Sequence, residues 1–128
     1  AHEPASGRSM REIARRSYEV VFRFAEEHED EFLILFRERR SEDPQVQRYL
    51  QEENERFVAQ LAQDYQRIID AGAAPQIDVH LGAELIAAMT MATLLRYFEN
   101  RDLGRERLID GLIRVTLGGL PALAREKA

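Results

Sequence analysis

The chain contains no cysteine and no tryptophan, and only seven of its 128 residues are glycine and four are proline. The absence of cysteine excludes disulfides, thiolate catalysis and thiolate zinc sites. It also fits a reducing cytoplasm, which is where we expect the protein to act. The formal net charge is −5. This negative charge argues against binding of the chain alone to the phosphate backbone of a nucleic acid.

Targeting and membrane segments are also missing from the sequence. The longest nearly apolar window, from Leu81 to Leu95, contains Glu84 and is shorter than the roughly 20 residues that a membrane span needs. No basic region followed by an apolar one opens the chain, so we predict neither a signal peptide nor a membrane partner. Because the first residue is Ala1 and not Met, we expect a piece of a longer protein, with residues 1–8 as a linker or disordered start and 9–128 as one domain.

What the sequence does contain is helical periodicity, and no alternating pattern that favours strands. Asp43 and Pro44 are typical of a helix start, Gly72 of a helix end, and Asp78 of a second helix start. We therefore predict an all-α fold. The predicted helices are 9–29, a short one at 31–39, 44–71, 78–101 and 104–126.

The last two predicted helices carry more apolar residues than one chain can cover. The fourth is apolar on nearly every side from Leu81 to Leu95, and such a helix must be covered all round. Gly111, Gly118 and Gly119 in the fifth permit close helix packing, although Gly118-Gly119 could instead bend or end the helix. We predict a homodimer in which these helices form a four-helix bundle across a two-fold axis. The predicted interface residues are Leu85, Met91, Leu95, Leu112, Val115, Thr116, Gly119 and Leu120.

The order of these parts resembles the C-terminal half of TetR-type transcriptional regulators, which binds effectors and dimerises. The resemblance is carried by residues 31–39 (EFLILFRER), by the long helix 46–71 and by the ending 112–120 (LIRVTLGGL). It implies a five-helix domain of a repressor in which effector binding resets the spacing of two DNA-reading heads. Nothing in this chain matches the three-helix DNA-binding domain of such regulators, so DNA contact would come only through a domain outside it.

Residues 32–41 and 57–62 further resemble the branch of that family that controls fatty-acid synthesis or desaturation genes and senses acyl-CoA thioesters. This resemblance implies an apolar small ligand, such as a fatty acid or acyl-CoA, in a helical pocket. The same side chains at the same spacing also make an ordinary core, and His28 could simply be hydrogen-bonded near a helix end. The predicted ligand-binding residues are Tyr18, Phe22, His28, Phe36, Phe57, Leu61, Tyr65, Met89 and Thr93.

Two groups of polar residues offer further sites, each with a simpler alternative. Arg37, Arg39 and Arg40 could bind the CoA phosphates through their guanidinium groups, or they could form a solvated helix end. His80 and Glu84 lie four residues apart and could share a helix face. With no third ligand in view, we predict no metal site and no cofactor there.

Two other functional classes are an enzyme and a helical interaction module. It has no Gly-x-Ser-x-Gly motif and no phosphate-binding glycine loop, and its 23 acidic residues make paired carboxylates uninformative. We therefore predict that the chain is not an enzyme. The remaining alternative is a homodimeric interaction module with a solid core and no ligand.

Overall fold

The computed structural model describes residues 7–38 and 42–126, and the side chains of residues 10–38 and 42–124. Within these ranges it contains helices and no strand, which confirms the all-α prediction. A 3₁₀ turn, Arg101–Leu103, joins the last two helices and was not predicted from the sequence. The α-helices are α1 (Gly7–Glu27), α2 (Glu29–Glu38), α3 (Pro44–Asp70), α4 (Val79–Glu99) and α5 (Arg105–Glu126).

The start and end signals in the sequence set the bounds of α3 and α4. The Asp43 side chain accepts a hydrogen bond from the backbone N–H of Gln45 at 2.9 Å, and Asp78 accepts one from that of Leu81 at 3.1 Å. Each such cap stabilises a helix by about 1 kcal/mol. Gly72 follows α3 with a φ of +82°, a left-handed conformation that glycine adopts without strain.

A single residue, His28, separates α1 from α2. Its N–H donates to the carbonyl of Phe24 at 3.1 Å, and its own carbonyl accepts from the N–H of Phe32 at 2.9 Å. The acidic run 26–31 (EEHEDE) therefore lies on both sides of a tight joint. Three of its carboxylates occupy the first turn of α2, where the helix dipole favours negative charge.

The core consists of two clusters that share α4. α1 packs mainly on α5, and α3 mainly on α4, while α4 also contacts α5. The smaller cluster joins α3 to α4 through Val58, Ala83 and Ala87. The larger cluster joins α1, α4 and α5 through Tyr18, Phe22, Ala25, Leu94, Tyr97, Ile109, Leu112 and Ile113.

The glycines of the last two helices have different roles. A Cβ on Gly82 would lie 3.2 Å from the Leu120 side chain, so glycine allows α4 and α5 to approach closely there. By contrast, a Cβ on Gly111, Gly118 or Gly119 would meet nothing within 4 Å. α5 continues through Gly118-Gly119, so the alternative that this pair ends the helix is wrong.

α4 is also long enough and apolar enough to cross a membrane, judged by length and composition alone. The core helix of a soluble protein passes the same test, and one such helix is a weak argument for a membrane protein. Within the chain, 33% of this segment is buried. The helix thus turns one side to the core and leaves much of the rest uncovered.

Candidate functional site

α4 and α5 both leave apolar residues exposed to solvent, with Glu84 and Arg114 exposed beside them. The short connection after Glu99 and the contact between Gly82 and Leu120 show that α4 and α5 run side by side in opposite directions. Residues 81, 85, 88 and 92 are exposed and follow helical spacing, so they line one side of α4. We call this surface the α4–α5 face, and it comprises Leu81, Leu85, Ala88 and Ala92 of α4 and Val115, Gly118 and Gly119 of α5.

The residues predicted at the dimer interface divide between this face and the interior. Leu85 and Val115 are 54% and 59% exposed, and Gly119 is exposed beside them. Met91 and Leu95 are half-buried. The side chains that the chain itself already covers are Leu112, Thr116 and Leu120.

The predicted ligand-binding residues also divide by burial. Tyr18 and Phe22 are buried in the larger core cluster, against α4 and α5. Thr93 is half-buried, and its hydroxyl donates to the carbonyl of Met89 at 2.7 Å. The others that lie half-buried, with part of each side chain open to solvent, are Phe36, Phe57, Leu61, Tyr65 and Met89.

Three hydroxyl groups meet inside the larger core cluster. Tyr18 and Thr116 share a buried hydrogen bond of 2.7 Å between α1 and α5. Burial raises the pKa of Tyr18, while the hydroxyls of Thr116 and, to a lesser degree, Thr90 lower it. The Thr90 Oγ1 is fully buried and has no hydrogen-bond partner among the described residues. Tyr18 is therefore a neutral, structural link between two helices.

A group of charged and aromatic residues holds the α1–α2 joint to the connection between α4 and α5. The Tyr97 hydroxyl donates to one carboxylate oxygen of Glu26 at 2.9 Å, and Arg105 Nε donates to the other at 3.2 Å. Arg101 pairs with Glu29 and lies 4.8 Å from the centre of the Tyr97 ring. We call these five residues the corner cluster.

The corner cluster was not predicted from the sequence. Its hydrogen-bonded partners are 71 to 79 residues apart, so no local spacing signals the pairing. Burial, and then the hydrogen bond to Glu26, raise the pKa of Tyr97. The only hint in the sequence is one of opposite charge, between the acidic run 26–31 and the arginines at positions 101 and 105.

Of the polar candidates near α2, the structure describes His28 and Arg37. His28 is half-buried, with its Nδ1 2.9 Å from the carbonyl of Phe24 and its ring centre 4.2 Å from that of Phe24. This is the arrangement that the helix-end alternative describes. Arg37 is exposed, while Arg39 and Arg40 lie outside the described residues.

His80 and Glu84 lie one helical turn apart near the start of α4. His80 Nε2 lies 3.5 Å from a carboxylate oxygen of Glu84, and both side chains are largely exposed. Across the described part of the chain, no group of three or more histidine and acidic side chains is placed to hold a metal ion.

An open cleft lies where the start of α1, the end of α3 and the last turns of α5 meet. Its volume is about 510 Å³, and we call it the end cleft. Of the predicted ligand-binding residues it contains only Tyr65, whose pKa is raised by burial. Its other residues come from three separate segments, which is why sequence spacing could not assemble them. The lining comprises Met10, Arg11, Tyr65, Ala73, Ala74, Pro75, Leu117, Leu120 and Pro121.

Comparison of the chain with protein-family models, with curated proteins and with solved structures finds no match. The resemblance to TetR-type regulators therefore rests only on the residues quoted for it. Function must be inferred from three features of the molecule itself. These are the α4–α5 face, the end cleft and the corner cluster.

Proposed function

We propose that this chain is the effector-sensing and dimerising domain of a transcriptional repressor of the TetR type that its sequence resembles. Two copies would join through their α4–α5 faces, and DNA would be contacted by a domain outside this chain. The observation that carries the proposal is the exposed apolar surface of α4 and α5, because a folded chain gains by covering it.

The residues of the α4–α5 face suit contact with a second copy. Burying a side chain such as Leu85 or Val115 contributes about 1.5–3 kcal/mol relative to leaving it exposed. A two-fold axis uses the same surface twice, so each residue counts in both copies. Gly118 and Gly119 have open space where a side chain would lie, which allows the partner's helix to approach the backbone.

The sensing half of the proposal is supported by side chains that the chain covers only in part. On α3, these half-buried side chains are Phe57, Leu61 and Tyr65. α1 packs mainly on α5, whereas α3 packs mainly on α4. A small apolar molecule held near α3 could therefore change the distance between α1 and α3. Such a molecule, for example a fatty acid or acyl-CoA, would shift the population of repressor conformations.

Sedimentation of the purified chain tests the dimer. The unaltered chain should be a dimer at micromolar concentration. Leu85→Glu and Val115→Glu should each weaken the dimer at least about 100-fold, since each places an unpaired charge in the interface twice. Val20→Glu is the matched control, because Val20 on α1 is 56% exposed and lies away from the face. A monomeric unaltered chain, or equal dissociation by Val20→Glu, would contradict the proposal.

The solid-core interaction module is the second candidate, and the full packing of Tyr18 and Phe22 favours it. Native mass spectrometry of the purified chain separates the two functions, because a regulator should carry or accept an apolar small molecule and a solid module should not.

A lipid surface is another candidate occupant of the α4–α5 face. If the unaltered chain floats with lipid vesicles and Leu85→Glu does not, the face serves a membrane and the dimer proposal fails.

A further inference from the structure

The end cleft has the walls of a small-molecule site. Pro75 from the loop after α3 and Leu117, Leu120 and Pro121 from α5 supply apolar surface. Its volume of about 510 Å³ falls within the usual range for small ligands. The described residues leave the cleft partly open to solvent.

Few polar groups face this apolar surface, and they differ in character. Arg11 borders the cleft and forms no ion pair with any residue that the structure describes. The Tyr65 phenol is a neutral hydroxyl, because burial raises its pKa. Pro121 has no backbone N–H and cannot donate the helical hydrogen bond to the carbonyl of Leu117. The Leu117 carbonyl, in a residue that lines the cleft, therefore lacks its usual donor.

We propose that the end cleft binds an organic anion with an apolar body. The anionic group pairs with Arg11 and accepts a hydrogen bond from the Tyr65 hydroxyl, while Leu117, Leu120 and the two prolines cover the body. This inference rests on the sensing half of the proposed function, which it narrows from a fatty acid or acyl-CoA to a ligand with a single anionic group, and it is independent of the dimer.

The charge of the site limits the class of ligand. One guanidinium matches a single carboxylate or sulfonate, with which it forms paired hydrogen bonds. A polyphosphate would need further cations, and the described lining contains none besides Arg11. A cationic ligand would be repelled by Arg11, and a purely apolar one would gain nothing from it.

Two dyes that differ only in charge test the proposal on the intact chain. 8-Anilinonaphthalene-1-sulfonate carries a sulfonate, and N-phenyl-1-naphthylamine has the same rings without it. The sulfonate dye should bind about tenfold more tightly, which corresponds to one charge-assisted contact. Arg11→Gln should abolish this difference. Arg16→Gln should preserve it, because Arg16 is an exposed arginine of the same helix that does not border the cleft.

Two further variants locate the dye. Ala74→Trp, checked for native helix content by circular dichroism, should fill the cleft and abolish binding of both dyes. Tyr65→Phe keeps the apolar walls and should weaken only the sulfonate dye, by about threefold. The proposal is overturned if Arg11→Gln and Arg16→Gln weaken binding equally, or if Tyr65→Phe and Ala74→Trp both leave it unchanged.

The dimer variant separates the two proposals. If Leu85→Glu still binds the sulfonate dye in a manner that depends on Arg11, the end cleft is a site whatever the oligomeric state. If the chain dimerises through the α4–α5 face but binding ignores Arg11, the cleft proposal alone fails.

Discussion

The two ends of α1 are held in different ways. At its C-terminal end, Glu26 binds Tyr97 and Arg105, and the Phe22 ring lies 5.8 Å from that of Tyr97. At its N-terminal end, Met10 and Arg11 border an open cleft. The described part of α1 is thus hydrogen-bonded to the α4–α5 connection at one end and borders a cleft near the other.

The largest expected difference between the two ends of α1 comes from removing an apolar side chain at each end. Phe22 is fully buried, so Phe22→Ala should lower the free energy of unfolding by about 3–5 kcal/mol. Met10→Ala, at the half-buried open end, should lower it by about 1 kcal/mol or less. Urea unfolding followed by circular dichroism at one fixed protein concentration measures both. Equal losses would show that the two ends of α1 are equally well anchored.

A smaller effect is expected from the charges at the two ends. Glu26→Gln keeps the size of the side chain and an acceptor for the Tyr97 hydroxyl, but removes the charge that faces Arg105. Because the Glu26 and Arg105 side chains are only 28% and 26% exposed, we expect a loss of about 1–2 kcal/mol. Arg11→Gln should change stability by less than about 0.5 kcal/mol. A loss with Glu26→Gln that does not shrink in high salt would argue against an ionic anchor.

The smallest effect concerns alkaline pH, because both ends contain a tyrosine with a raised pKa. In the unfolded chain each phenol loses its proton near its ordinary pKa of 10.0, whereas the folded chain keeps it. Stability should therefore fall as pH rises above about 10, and Tyr97→Phe or Tyr65→Phe should each reduce that fall.

Salt distinguishes the two tyrosines in the same unfolding measurements. The pKa of Tyr97 is raised by burial and by the carboxylate of Glu26, while that of Tyr65 is raised by burial alone. The effect of Tyr97→Phe should thus weaken at high salt, and that of Tyr65→Phe should not. Equal salt responses would remove the electrostatic difference between the two ends.

Much of the fold could be predicted because its signals are local. Asp43 with Pro44, and Asp78, mark helix starts through contacts within three residues of themselves. Gly72 marks an end through its own backbone conformation. The 3₁₀ turn at Arg101–Leu103 escaped prediction because three residues carry no periodicity.

Little of the candidate site could be predicted, because its residues meet only through packing. The end cleft joins Arg11 to Tyr65 and to Pro121, which are more than 50 residues apart from one another along the chain. No spacing rule relates them. The predicted pocket residues were chosen from helical stripes, and a stripe does not distinguish a side chain in a core from one beside a cleft.

The sequence by itself determined that this protein is helical and where most of its helices begin and end, since capping and periodicity act within a few residues. Only the tertiary structure decided which apolar residues of the last two helices face inward. α4 is apolar on nearly every side, so the spacing of its apolar residues does not indicate which side of the helix faces the core. Packing against α1, α3 and α5 supplied that orientation, placing Ala87 and Leu94 inside and leaving Leu85 on the surface.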